Sequence, residues 1–128
     1  MTYVDPRPLS SAELAVLQTV LAVAPTPHTP ALQELPLENL LVHSQCDCGC
    51  ASVGFLVEED RPRSDTKLVA DGLGLSAGNR QVGVIVYGSA GQVVELELHW
   101  PYDGGAPLPR PETIVPWERG REVTEAEQ

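Results

Sequence analysis

The residues best suited to chemistry lie together. Cys46, Cys48 and Cys50 are the only three cysteines of the chain, and they fall within Cys46-Asp47-Cys48-Gly49-Cys50-Ala51-Ser52. On an extended strand alternate side chains stand about 6.6 Å apart. Three thiols so spaced cannot share one metal ion, whose sulfur ligands must lie about 2.3 Å from it. If the segment curls, they can converge. Gly49 permits the curl, because glycine takes positive φ at no steric cost, and Asp47 is a common turn residue.

Four uses are open to such a turn. A closed zinc site would take Cys46, Cys48 and Cys50 with His43 as fourth ligand, Asp47 and the distant His99 being the other candidates. A redox role would join Cys46 to Cys50 across the turn and leave one cysteine over. A thiol enzyme would need His43, His99 or His28 as base, within hydrogen-bond reach of a thiol and oriented by a third group, and no spacing here supplies that. The plainer reading is that the cysteines are small, buried, apolar side chains. The face Glu95, Glu97, His99 likewise invites a metal or acid–base reading. Polar residues on the wet side of a half-buried strand look the same, and that reading is preferred.

The elements that must position these residues read as follows. Residues 1–9, with Pro6 and Pro8, read as an irregular arm. Ser10-Ser11-Ala12-Glu13 is a capping-box pattern that opens a helix. Leu14, Leu17 and Leu21, and beside them Val16, Val20 and Val23, give that helix a wide apolar stripe, suited to burial on a sheet or in a subunit contact. Pro25 and Pro27 end it. Thr29-Pro30 opens a short second helix, with Leu32 and Leu35 facing inward, which Pro36 stops.

From Leu40 the chain alternates as a strand, with Val42, Ser44 and Cys46 on one face and His43 on the other. Ala51 to Glu58 is the return strand, with Val53, Phe55 and Val57 alternating. Glu58 to Asp65 is a polar loop. Lys67 to Ala70 is a short strand ended by the Asp71-Gly72 turn signal. Gly74 to Asn79 is a loop without the spacing of a phosphate cradle. Gln81 to Tyr87 and Gln92 to Trp100 form an antiparallel hairpin, with Val94, Leu96, Leu98 and Trp100 on its buried face. Pro107, Pro109, Pro111 and Pro116 keep the following segment extended. Ile114, Val115 and Trp117 can dock an edge or a partner, and Trp117 packing back on the domain is preferred. Residues 119–128 form a polar, frayed tail.

The pattern resembles a group of small, uncharacterised bacterial proteins in which a strand runs into a C-x-C-G-C-x-S turn and an apolar strand. They later carry a hairpin whose last strand alternates leucine and glutamate. The matching pieces are Cys46 to Ser52 with Val53 to Val57, and Val82 to Val86 with Val94 to Trp100, within residues 38–102. The resemblance implies a compact α+β domain and a bacterial source, and no activity.

Length and composition bound the rest. The 128 residues, 42% of them hydrophobic, suit one domain with a real core, residues 1–118. The net charge of −10 weighs against nucleic acid and anionic membranes as partners, since both would repel it. It is compatible with a protein partner or self-association. Clustered, odd-numbered cysteines do not make a secreted disulfide framework, so the expected compartment is reducing and cytoplasmic. Leu14 to Ala24 ends in Ala22-Val23-Ala24 like a leader peptide, but no basic n-region precedes it. It is too short to span a membrane.

The expected fold is α+β: an N-terminal helix and a short second one on an antiparallel sheet of four or five strands in hairpin order. The expected function is that of a small acidic, non-catalytic binding or regulatory domain acting through a protein partner. The alternative is a zinc- or redox-responsive protein using Cys46, Cys48 and Cys50.

Overall fold

A computed structural model describes residues 2–24, 26, 36–47, 49–56, 66–89, 92–102 and 104–117. Among these residues the architecture is α+β: one α-helix, α1 (Ser11–Val23), on one face of a seven-stranded antiparallel sheet. The strands are β1 (Thr2–Pro8), β2 (Leu41–Gln45), β3 (Val53–Phe55), β4 (Lys67–Leu75), β5 (Gln81–Ser89), β6 (Gln92–His99) and β7 (Val115–Pro116). Their spatial order is β1-β2-β3-β6-β5-β4-β7. Two meanders, β1-β2-β3 and β4-β5-β6, therefore join edge to edge through β3 and β6. Short 3-10 turns at Leu37–Asn39 and Pro111–Thr113 precede β2 and β7.

The helix begins as its sequence dictates. The Glu13 backbone N–H donates to Ser10 Oγ at 3.1 Å, and the Ser10 N–H donates to Glu13 Oε1 at 2.8 Å. Arg7 clamps the same carboxylate through Nη1 and Nη2 at 2.9 Å each. Val16, Leu17, Val20, Leu21 and Ala24 are buried, while Val23 is 38% exposed. The buried stripe is thus narrower than the apolar stripe of the sequence. Facing it are Val82, Val84 and Val86 of β5 and Leu96 and Leu98 of β6, joined by Val42, Val53 and Phe55 of the other meander. Each such side chain taken fully out of water contributes about 1.5–3 kcal/mol.

The sheet is larger than the four or five strands expected, and each difference has a physical cause. Residues 2–8 form an edge strand and not an irregular arm. Pro6 and Pro8 have no N–H to donate, which an edge tolerates. The Asp71-Gly72 signal does not end β4, which runs on through Gly74 and Leu75. A Cβ on Gly72 would lie 2.9 Å from Val20 Cγ2, and one on Gly74 2.9 Å from Pro109 Cβ. These glycines serve close approach of the helix and of the 109–114 segment, and not a turn. The turn comes later, at Ser76–Arg80, where Asn79 adopts φ 65° and donates its N–H to the Ser76 carbonyl at 2.9 Å. In β6 a bulge opposite Tyr87 and Gly88 puts Val93 into the core cluster ahead of Leu96, while Val94 is buried outside that cluster. The expected second helix at residues 29–35, the polar loop 58–65 and the tail 119–128 lie outside the described residues.

Candidate functional site

The sheet face away from α1 holds a notch whose origin is a single glycine. Leu73 of β4, Gly83 of β5 and His99 of β6 stand side by side across three strands. Gly83 has no side chain between the other two. Residues 115–117 then run along the free edge of β4, with Leu73 opposite Val115, and the Trp117 N–H donates to the Asp71 carbonyl at 2.9 Å. This places the indole over Gly83: a Cβ there would lie 2.8 Å from Trp117 Cη2 and would overlap Cζ3. Trp117 meets the His99 ring edge-on, with centroids 5.8 Å apart.

Beside this contact lies a pocket of about 310 Å³, lined by Leu73, Gln81, Gly83, His99, Trp100, Pro101 and Trp117. Its volume is at the lower end of the range for small-ligand sites. Both tryptophans of the chain line it. Outside the lining, the Tyr102 ring meets that of Trp100 edge-on at 4.8 Å, and the Arg80 guanidinium sits 4.6 Å above the Tyr102 ring. Glu97 Oε2 lies 3.6 Å from His99 Nε2. One row along the sheet, Asp71, Ile85 and Glu97 stand side by side. The Trp100 Nε1–H is buried and meets no acceptor among the described residues.

The cysteine turn closes the β2–β3 hairpin elsewhere. Gly49 takes φ 95°, as the curl requires, and the Cys46 N–H donates to the Ser52 carbonyl at 3.3 Å. Cys46 is disulfide-bonded, whereas Cys50 is half-buried and keeps its thiol. The Cys46–Cys50 bridge expected for the redox case is therefore not the one formed. Cys48 lies outside the described residues. A zinc site needs the Cys46 thiolate, so the disulfide and a metal would be mutually exclusive states of the turn. Asp47 Oδ2 accepts from Thr2 Oγ1 at 3.2 Å. His43 lies at an irregularity in the β2–β3 register, its ring 5.2 Å from that of Tyr3. Among the described residues no three His, Cys, Asp or Glu side chains group as metal ligands.

The turn also touches the segment that leaves the pocket. The Ala51 N–H donates to the Ala106 carbonyl at 2.7 Å, and Gly105 packs directly on the backbone of Gly49 and Cys50. Buried Ser52 accepts the Leu98 N–H on Oγ at 2.9 Å.

The sequence did not single out Gly83, Leu73 or Gln81. A glycine inside an otherwise β-branched strand is the available signal, because it marks close approach by another group. Comparison with protein-family models, with curated proteins and with solved structures gives no match. No helix of the described residues is long and apolar enough to cross a membrane.

Proposed function

We propose that this chain is a non-catalytic binding domain that engages a protein partner through the pocket at Gly83, Trp100 and Trp117. The observation that carries the reading is the lining itself. Apolar and ring side chains dominate it, and Gln81 and His99 are its polar side chains. That composition suits recognition, in which a few polar groups orient an apolar contact. Acid–base or nucleophilic catalysis would ask for several convergent polar groups. The buried Trp100 donor suits a partner that brings carbonyl groups, as any peptide does. A selection from a random-peptide display library on the immobilised protein, counter-selected on Trp117→Ala, tests the reading. It predicts a shared motif retained by the wild type alone. Absence of any enriched motif contradicts it.

A second reading rests on a separate observation. Cys46 is in a disulfide while Cys50, four residues on, holds a thiol. A cysteine so close in sequence can exchange with a disulfide, so the turn is a candidate redox element, or a zinc site once reduced. In a reducing cytoplasm such a bond would be transient and responsive rather than structural. Metal analysis of anaerobically reduced protein, with thiol counts before and after a chelator, separates the two. About one zinc per chain with shielded thiols supports the metal state; three reactive thiols without metal sink it.

A further inference from the structure

We propose that the pocket selects a cationic nitrogen group, the head of a basic or N-methylated side chain, on its partner; this rests on the binding reading above. Three observations converge on that class. The first is the inventory of the lining. Two indoles, an imidazole, a leucine and a proline surround the space, with one amide, Gln81. A sugar or a nucleotide would find few hydrogen-bond partners there. An ammonium group instead gains from ring faces, because their quadrupole attracts positive charge.

The second is charge. Asp71 and Glu97 occupy the row beside Leu73, Gly83 and His99, and Glu97 also faces the His99 imidazole. The chain carries −10 overall, which attracts cations and repels anions at a distance. Among the described residues the nearby guanidinium groups have partners of their own: Arg80 lies on the Tyr102 ring, and Arg110 donates to Asn79 Oδ1 at 2.7 Å. The third is a precedent within the molecule. Next to the pocket a cation is already held against an aromatic ring, since Arg80 sits over Tyr102 and Tyr102 packs on Trp100.

The test uses choline and its uncharged carbon isostere, 3,3-dimethylbutan-1-ol, titrated into ¹⁵N-labelled protein. The readout is the two indole N–H signals, both from pocket residues. The inference predicts that choline moves both signals saturably and binds about tenfold more tightly than the isostere. Glu97→Gln should weaken the choline response. Gln81→Lys, at an exposed position of the rim, should abolish it in a protein that stays folded, so the result does not depend on Trp117→Ala folding. Equal binding of choline and isostere overturns the cation inference and leaves the binding reading in place. No response to choline, or a response that Gln81→Lys leaves intact, overturns the inference too, and the peptide selection then decides the binding reading alone.

Discussion

The Trp117 indole occupies the space that a side chain at position 83 would fill. Its Cη2 would lie 2.8 Å from a Cβ on Gly83, closer than real Cβ contacts come. That one relationship pins the C-terminal segment to the sheet face and shapes one wall of the pocket. Gly83→Ala should therefore lift the ring and destabilise the domain by about 1–3 kcal/mol. In a Trp117→Ala background the same change should cost much less. A double-mutant cycle by urea denaturation reads the coupling directly; additive effects would mean that the ring does not rest on Gly83.

Gly72 makes the corresponding contact on the helix side. A Cβ there would lie 2.9 Å from Val20 Cγ2 and 3.0 Å from Ile114 Cγ2. Gly72→Ala should lower stability by about 1–3 kcal/mol by forcing α1 off the sheet. Val20→Ala should recover part of that loss, which thermal unfolding of the pair would show.

Ser52 links the cysteine turn to β6. Removing its hydroxyl leaves the buried Leu98 N–H without an acceptor, at a cost of about 1–3 kcal/mol. Ser52→Ala should also speed hydrogen exchange at the Leu98 amide. Unchanged exchange there would show that the bond is not formed in solution.

Glu13 makes stability depend on pH in a defined direction. Burial pushes its carboxyl up, but the Arg7 hydrogen bonds, the Ser10 N–H and the Arg7 charge outweigh this and hold it below its ordinary 4.5. A depressed carboxylate contributes stability that is fully present above the unfolded-state value and is lost as pH falls through the lower folded value. The wild type should therefore lose stability below about pH 4.5 more steeply than Glu13→Gln. The variant should be about 1–3 kcal/mol less stable at pH 7, having lost charge-assisted bonds. Parallel acid-unfolding slopes would contradict this.

Disulfide chemistry at the turn is directly countable. The chain has three cysteines, and with Cys46 oxidised fewer than three thiols should react in the untreated protein under denaturant. All three should react after reduction. If reduction also shifts the indole signals, the contact from Ala51 to Ala106 carries the turn's state toward Trp100. If the signals stay fixed, turn and pocket are independent.

Local rules recovered the parts of the fold that local interactions decide. The Ser10–Glu13 box opened α1 where the sequence placed it, because its two hydrogen bonds lie within one helical turn. The alternation of Leu96 and Leu98 with Glu95 and Glu97 set the buried side of β6. The failures came where distant contacts overruled a local signal. Asp71-Gly72 reads as a turn until Val20 is known to press on Gly72. The proline-bearing start reads as an arm until β2 offers Thr2–Pro8 an edge. The pocket was legible only in fragments, Trp117 folding back and His99 on an outward face, since it depends on aligning Leu73, Gly83 and His99 from three strands. Of the candidate metal residues, Cys46 is oxidised, which is a constraint on any metal-bound state.

The central claim is that a partner is recognised in the pocket framed by Trp100 and Trp117. Because the two are the chain's only tryptophans, intrinsic fluorescence reports on the pocket without a label. The most direct measurement is a fluorescence titration of the wild type and of Trp117→Ala with peptides enriched from the display library. The account predicts a saturable spectral shift for the wild type and an affinity at least about tenfold weaker for the variant, a loss expected on removing an aromatic anchor. Peptides that bind both proteins equally well, or bind the wild type without altering its tryptophan emission, would place recognition elsewhere and contradict it.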